Sequence, residues 1–270
     1  MGVSWDNSLR LSIVHFVLYP NVQLGQGSIS EKATGLAEDD FFPVLEANWV
    51  KDRAVRRVVR DVAESAHFSL SYRAQPALLS QRLDINSLDD KEDCRAIRQV
   101  KSCIDEAAEL GATRLTLVAG SDPGDTRRDI ATCLLVDSLK EIWGYGEQRG
   151  VEITRGTFDR ESEKKSLVGP SRESAALAPT IRKAHRDFGI LYDMARAPLL
   201  DEGPRKAFAV LNDYSVHIGN CVKVPGHVAC SDKHPRFGIE EGQHDVDELA
   251  ELLRILFDVG YLGNQKGAKR

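Results

Sequence analysis

"VEITRGTFDR", Val151 to Arg160, is the stretch on which the fold turns. It has the form of a short β-branched strand running out into a loop, and Gly156 stands at the exit, where chemistry would ask for a side chain. Working outward, similar runs recur as "LSIVHFVLY", "PVLEANWV", "HFSLSYRA", "RLTLVAG", "GILYDMA" and "YSVHIGN". Amphipathic stretches lie between them, among them "RAVRRVVRDVAES", "EDCRAIRQVKSCIDEAAELG", "RRDIATCLLVDSLKEIWGYGEQRG" and "SRESAALAPTIRKAHRDFG". Gly111, Gly150 and Gly189 follow helical segments and open the next strand, as left-handed C-caps would. Strands alternating with helices predict a parallel sheet, and the regular period predicts an α/β fold of the (β/α)-barrel type, with an open doubly wound sheet as the alternative.

At 270 residues, 42% hydrophobic and 29% charged, the chain is long enough to bury a full core, and its length predicts a single domain over 1–270. A formal net charge of -5 offers no basic face for a phosphate backbone, so nucleic acid is not an expected partner. The apolar run near the N-terminus is interrupted by His15 and Pro20, no small-residue cleavage site follows it, and "MGVSWD" lacks the hydroxyl residue of an acylation signal. The five cysteines, Cys94, Cys103, Cys133, Cys221 and Cys230, form no C-x-x-C pair. These features predict a cytoplasmic protein with reduced thiols and no membrane partner. "DDKED", residues 89–93, has the composition of a solvated acidic loop, and "LGNQKGAKR" that of a frayed basic tail.

In barrels of this kind chemistry gathers where strands end. The predicted strand ends carry His15, Glu46, Tyr72 with Arg73, Gly120 with Ser121, Gly156, Asp193 and His217. Convergent polar groups on one face are what a small-molecule site requires. "AGSDPGD" offers glycine-flanked amides to an anion, although a turn of this composition is commonly a plain loop, and it contains neither a Walker pattern nor a dinucleotide fingerprint. "EEGQHD" leads into "DVDELAELLRILFDVG", where Asp245 and Glu248 have capping-box spacing.

The segments "SIVHF", "AQPALLSQRLDINSLDD", "AIRQVKSCIDEAAELGATRLTLVAGSDPG", "GTFDRESEKKSLVGP", "GILYDMARAPLL", "VHIGNCV" and "HPRFG" through "DVDELAELLRILFDVGYLG" occur in an order that resembles the xylose isomerase-like TIM barrels, the sugar phosphate isomerases and epimerases. The resemblance covers nearly the whole chain. It implies a divalent metal, Mn or Mg, at the barrel mouth, held by Glu, Asp, His and Glu after the fifth to eighth strands. On that basis Asp193 and His217 are the expected metal ligands. His15 and Glu46 are the expected catalytic residues, and Arg196, His234 and Arg236 the expected contacts to a carbohydrate-like ligand.

Three departures from the family pattern stand out. Gly156 occupies the place of the fifth-strand Glu, and Glu152, roughly 13 Å away along the strand, does not substitute for it. Arg196 replaces the His of a D-x-x-H continuation, and a guanidinium neither ligates a metal nor acts as a base near neutral pH. The chain stops where the family runs on, so the expectation is a barrel lacking the eighth strand and closing helix, with open strand edges that a homo-oligomer would cover. Together these predict an isomerase- or epimerase-like protein whose metal binding is doubtful and whose catalysis is impaired. The alternative is a noncatalytic remnant of the family, or a binder of anionic sugar-like small molecules with Arg196 and Arg155 supplying positive charge.

Overall fold

The structure, a computed structural model, describes residues 10–39, 41–161, 163–186, 188–211, 214–217, 222–223, 230–231 and 234–262, with the short strands between 214 and 231 given by their backbone alone. Residues 1–9 and 263–270, and so nearly all of the expected basic tail, lie outside the described residues. Two compact units divide the chain: one of Arg10–Gly120 with Cys133–Thr154, the other of Ser121–Thr132 with the residues from Arg155 onward.

In the first unit β1 (Ser12–Val14), β2 (Val44–Ala47), β3 (Ser69–Arg73) and β4 (Arg114–Leu117) pair in parallel and in chain order. Such sequential pairing, without a reversal of order, rules out the doubly wound alternative for these strands. The register puts Val14, Glu46 and Ser71 side by side, and Arg73 beside Thr116. This face of the sheet is rich in polar residues. The opposite face holds Leu45, Leu70, Tyr72 and Leu115, all buried, and the Tyr72 hydroxyl donates to Glu106 at 2.8 Å. Glu106 belongs to α5 (Asp90–Leu110), so the hydrophobic core lies between sheet and helices, as the period of two along each strand requires. Also in this unit are the short α1 (His15–Leu18), α2 (Ile29–Asp39), α3 (Arg53–Ser65) and α4 (Gln75–Ser80).

All seven expected strands form, with shorter limits at several ends. β1 stops at Val14 because the next residues turn: Tyr19 N–H donates to the His15 carbonyl at 2.8 Å, making His15 the first residue of α1. "DDKED" is not a loop. The Asp89 carboxylate accepts from the N–H groups of Lys91 and Glu92 at 2.8 and 3.1 Å, and the acids after it form the first turn of α5, where the helix dipole favours negative charge. Gly111 caps α5 with φ +79, and Gly150 has φ +69 after α6 (Arg128–Arg149). Gly189 plays no such part, since α7 (Ser171–Arg182) ends well before it.

β5 (Glu152–Gly156) begins in the first unit, where Glu152 N–H donates to the Thr113 carbonyl at 2.9 Å, and ends in the second. In the second unit Thr157 N–H donates to Leu191 of β6 (Gly189–Asp193) at 3.0 Å. β6 pairs in parallel with β7 (Tyr214–His217), and Asp193 stands in register with His217. A 3-10 helix over Met194–Leu200 and α8 (Pro204–Phe208) follow β6. β8 (Val222–Lys223) and β9 (Cys230–Ser231) form a small antiparallel pair, and α9 (Val246–Asp258) begins with the expected capping box, in which Asp245 N–H donates to Glu248 at 2.8 Å.

Candidate functional site at the exits of β5 and β6

Asp193 is the last residue of β6 and the cap of the 3-10 helix, where its carboxylate accepts from Ala195 N–H at 3.0 Å. A 3-10 helix has about three residues per turn, so residues i and i+3 lie on the same side. That geometry turns Arg196 back toward Asp193, and the two form an ion pair with 3.0 Å between Nη1 and Oδ2. The same nitrogen donates to the Thr157 carbonyl at 3.2 Å. The guanidinium carbon lies 3.8 Å from the centroid of the Phe158 ring. A desolvated cation–π contact of this kind contributes about 2 kcal/mol. All three side chains are buried, with relative exposures of 1% for Asp193, 7% for Arg196 and 1% for Phe158.

Gly156 explains why the ring can lie there. A Cβ at position 156 would stand 2.7 Å from Phe158 Cε2 and 3.4 Å from its Cζ. Phe158 lies two residues past the end of β5, and its ring folds back over Gly156 because that residue has no side chain. Sequence reasoning marked Gly156 and Arg196 but overlooked Phe158. The available signal was a small residue followed two places later by a large aromatic one.

His244, the histidine of "EEGQHD", is brought against the 3-10 helix. Its Nε2 lies 2.9 Å from the Met194 carbonyl, next to Asp193, and its ring lines a cavity of about 450 Å³ bordered by Glu240, Asp245 and Glu248. Burial pushes the His244 pKa down, against opposing effects of the Met194 carbonyl, Glu248 and Asp193. His234 is half-buried and Arg236 exposed. His217 is placed by its backbone beside Asp193, and its side chain lies outside what is described.

Arg155 faces away from this cluster. Fully buried, it donates to the carbonyls of Gly156 and Val168 at 3.0 and 2.9 Å and to the Ser174 hydroxyl, and burial lowers its pKa to about 10. It anchors β5 to α7 and so is committed elsewhere. "AGSDPGD" likewise satisfies itself: Gly124 N–H donates to the Asp122 carboxylate at 3.0 Å, and Arg128 reaches the same carboxylate at 2.6 Å. Burial pushes the Asp122 carboxyl up, but the hydrogen bonds from Arg128 and Gly124 outweigh it and leave the pKa lowered.

In the first unit Glu46 is also matched with an arginine. Its carboxylate is held by the Arg73 guanidinium and accepts from the Ser12 hydroxyl at 2.5 Å. His15 is 2% exposed, its Nε2 has no hydrogen-bond partner among the described residues, and burial lowers its pKa to about 4. Thr116 and Thr154 continue the polar face with a hydroxyl–hydroxyl bond of 2.8 Å. Among the described residues no group of three or more His, Cys, Asp or Glu is arranged to hold a metal ion.

Comparison with known proteins identifies the lineage. The family model described as xylose isomerase-like TIM barrel matches residues 51–263. The chain belongs to this family. Epimerases, an AP endonuclease and a xylose isomerase-like TIM barrel protein are among the structural likenesses. D-psicose 3-epimerase with D-tagatose from Clostridium cellulolyticum H10 matches at 17% identity and TM-score 0.67, over 94% of this chain and 83% of that one. An AP endonuclease, family 2, from Brucella melitensis matches at 15% identity and TM-score 0.68, over 94% and 91%. A xylose isomerase-like TIM barrel protein from Mycobacterium smegmatis in complex with magnesium matches at 14% identity and TM-score 0.61, over 97% and 90%. No curated protein matches the sequence. At these identities the likeness establishes the TIM-barrel fold, and epimerases and an endonuclease share it. No helix among the described residues is long and apolar enough to cross a membrane.

Proposed function

We propose that this chain is a carbohydrate-binding member of the xylose isomerase-like family, related to sugar and sugar-phosphate isomerases and epimerases, in which metal-dependent turnover is lost. The Asp193–Arg196 pair carries this reading. A divalent cation needs several oxygen or nitrogen donors and tolerates no cation at contact distance. Here a guanidinium stands 3.0 Å from the expected aspartate ligand, and Gly156 offers no side-chain donor. The residues at these strand ends do not fit a bound metal. In its place Arg196 supplies N–H donors and Asp193 an acceptor, a combination suited to sugar hydroxyls and, through Arg196, to an anionic substituent. His234 and Arg236 are proposed as further ligand contacts, and His217 retains its place beside Asp193.

The state of the expected acid and base in the first unit supports the same reading. Glu46 is engaged by Arg73 and Ser12, and a His15 pKa of about 4 leaves little proton-transfer driving force near neutrality.

The test is metal analysis and Mn²⁺ titration of the purified full chain, followed by thermal unfolding in EDTA with D-fructose or D-fructose 6-phosphate at millimolar concentration. The expected result is no stoichiometric metal and a raised Tm with one of the sugars. Tight one-to-one Mn²⁺ binding would overturn the loss of metal chemistry. Absence of stabilisation by either sugar would overturn carbohydrate binding.

A further inference from the structure

We propose that Phe158 helps to exclude a divalent cation from this site: Gly156, Phe158 and Arg196 form one interdependent unit, and full cation affinity requires that all three be changed together. The inference rests on the reading that Arg196 stands in place of a metal, and it adds the residue that keeps it there.

The geometry supplies the coupling. The Phe158 ring lies where any side chain at position 156 would begin, with Cε2 2.7 Å from the Cβ position. Its backbone is confined from another side, because a Cβ on Gly169 would lie 2.5 Å from the Phe158 carbonyl oxygen. The ring is 1% exposed, and protein interiors are packed too densely to absorb a carboxyethyl group without moving it. Moving the ring removes the platform 3.8 Å beneath the Arg196 guanidinium, which also holds Thr157 and Asp193. A glutamate at 156 therefore collides with Phe158 while Arg196 still occupies the cation's place. Changing Arg196 to histidine removes the charge but leaves the ring over position 156. Each single reversion meets an obstacle set by another member of the unit.

The experiment is calorimetric titration of the full chain with Mn²⁺ alone, comparing wild type, Gly156→Glu, Gly156→Glu/Arg196→His, and the triple variant that adds Phe158→Ala. The triple variant is expected to bind Mn²⁺ roughly tenfold or more tightly than the double variant, the scale of relieving an overpacked core, and Gly156→Glu alone no more tightly than wild type. Equal affinity of double and triple variants overturns the role of Phe158. Tight binding by wild type overturns the proposed function instead, so the two failures are distinguishable.

If the triple variant does not fold, a thermal-unfolding cycle decides. Gly156→Ala should lower Tm by about 3–10 °C in the wild-type background, the scale of an overpacked core, and by less than half as much in a Phe158→Leu background. Equal losses in the two backgrounds would show that the ring does not guard position 156.

Discussion

Arg196 and Asp193 are buried as a pair, so each charge depends on the other for solvation. Arg196→Ala should cost about 3–5 kcal/mol by urea denaturation, the cost of breaking a buried pair from one side. Arg196→Lys should recover only part of that loss, because an ammonium lacks the planar face that lies on Phe158. A loss under 1 kcal/mol for Arg196→Ala would mean that the pair contributes nothing beyond a surface contact. His15 predicts a pH effect of definite sign. Its folded pKa of about 4 lies below the ordinary 6.5, so the unfolded chain binds more protons between these values. The stability due to the neutral ring is fully present above pH 6.5 and is lost as pH falls toward 4, up to roughly 3 kcal/mol. Asp93, whose carboxyl burial raises to about 6, acts in the opposite direction, with stability lost as pH rises through 6. Comparing wild type with His15→Gln between pH 4 and 7.5 cancels the Asp93 effect, and a flat difference would contradict the assignment. At this scale Asp193 and Arg196 could be picked out from "DMAR", but their mutual pairing could not, since it depends on a 3-10 turn rather than continued strand.

At the level of elements, α6 gives a test in which local propensity and packing disagree. Gly146→Ala should gain about 1 kcal/mol from helix propensity. Yet the added Cβ would stand 2.7 Å from the Val151 carbonyl oxygen and 2.7 Å from Ile153 Cγ1. Backbone cannot retreat as a flexible side chain does, so the substitution should lower Tm, and a raised Tm would show that the α6–β5 approach can loosen. The helices themselves were well marked in sequence: Arg53–Ser65 appears with the limits its amphipathic pattern suggested, and Asp245 with Glu248 opens α9 as their spacing implied. "DDKED" misled because composition cannot distinguish a solvated acidic loop from acids gathered on a helix N-terminus. The difference lies in the Asp89 cap, a hydrogen bond set by backbone conformation.

For the whole molecule, the proposed function predicts metal-independent stability, because in that reading Arg196 supplies the cation beside Asp193. A metal bound to the native state alone would add RT ln(1 + [L]/Kd) to stability. EDTA should therefore leave the Tm unchanged within about 1 °C, and millimolar Mn²⁺ should not raise it; a rise of several degrees with Mn²⁺ would show a native-state site that the proposed function denies. The sequence by itself determined the parallel α/β architecture, because alternation of period two in strands and amphipathy in helices are local patterns, while the family was legible only through the resemblance carried by the order of its segments. It also marked the glycine and the arginine that break the family pattern. Only the tertiary structure decided what the break means. Whether Gly156 leaves a gap or a filled space depends on the Phe158 ring, and whether Arg196 faces solvent or Asp193 depends on the turn after β6. Both are questions of side-chain direction and close packing in three dimensions, which no spacing along the chain encodes.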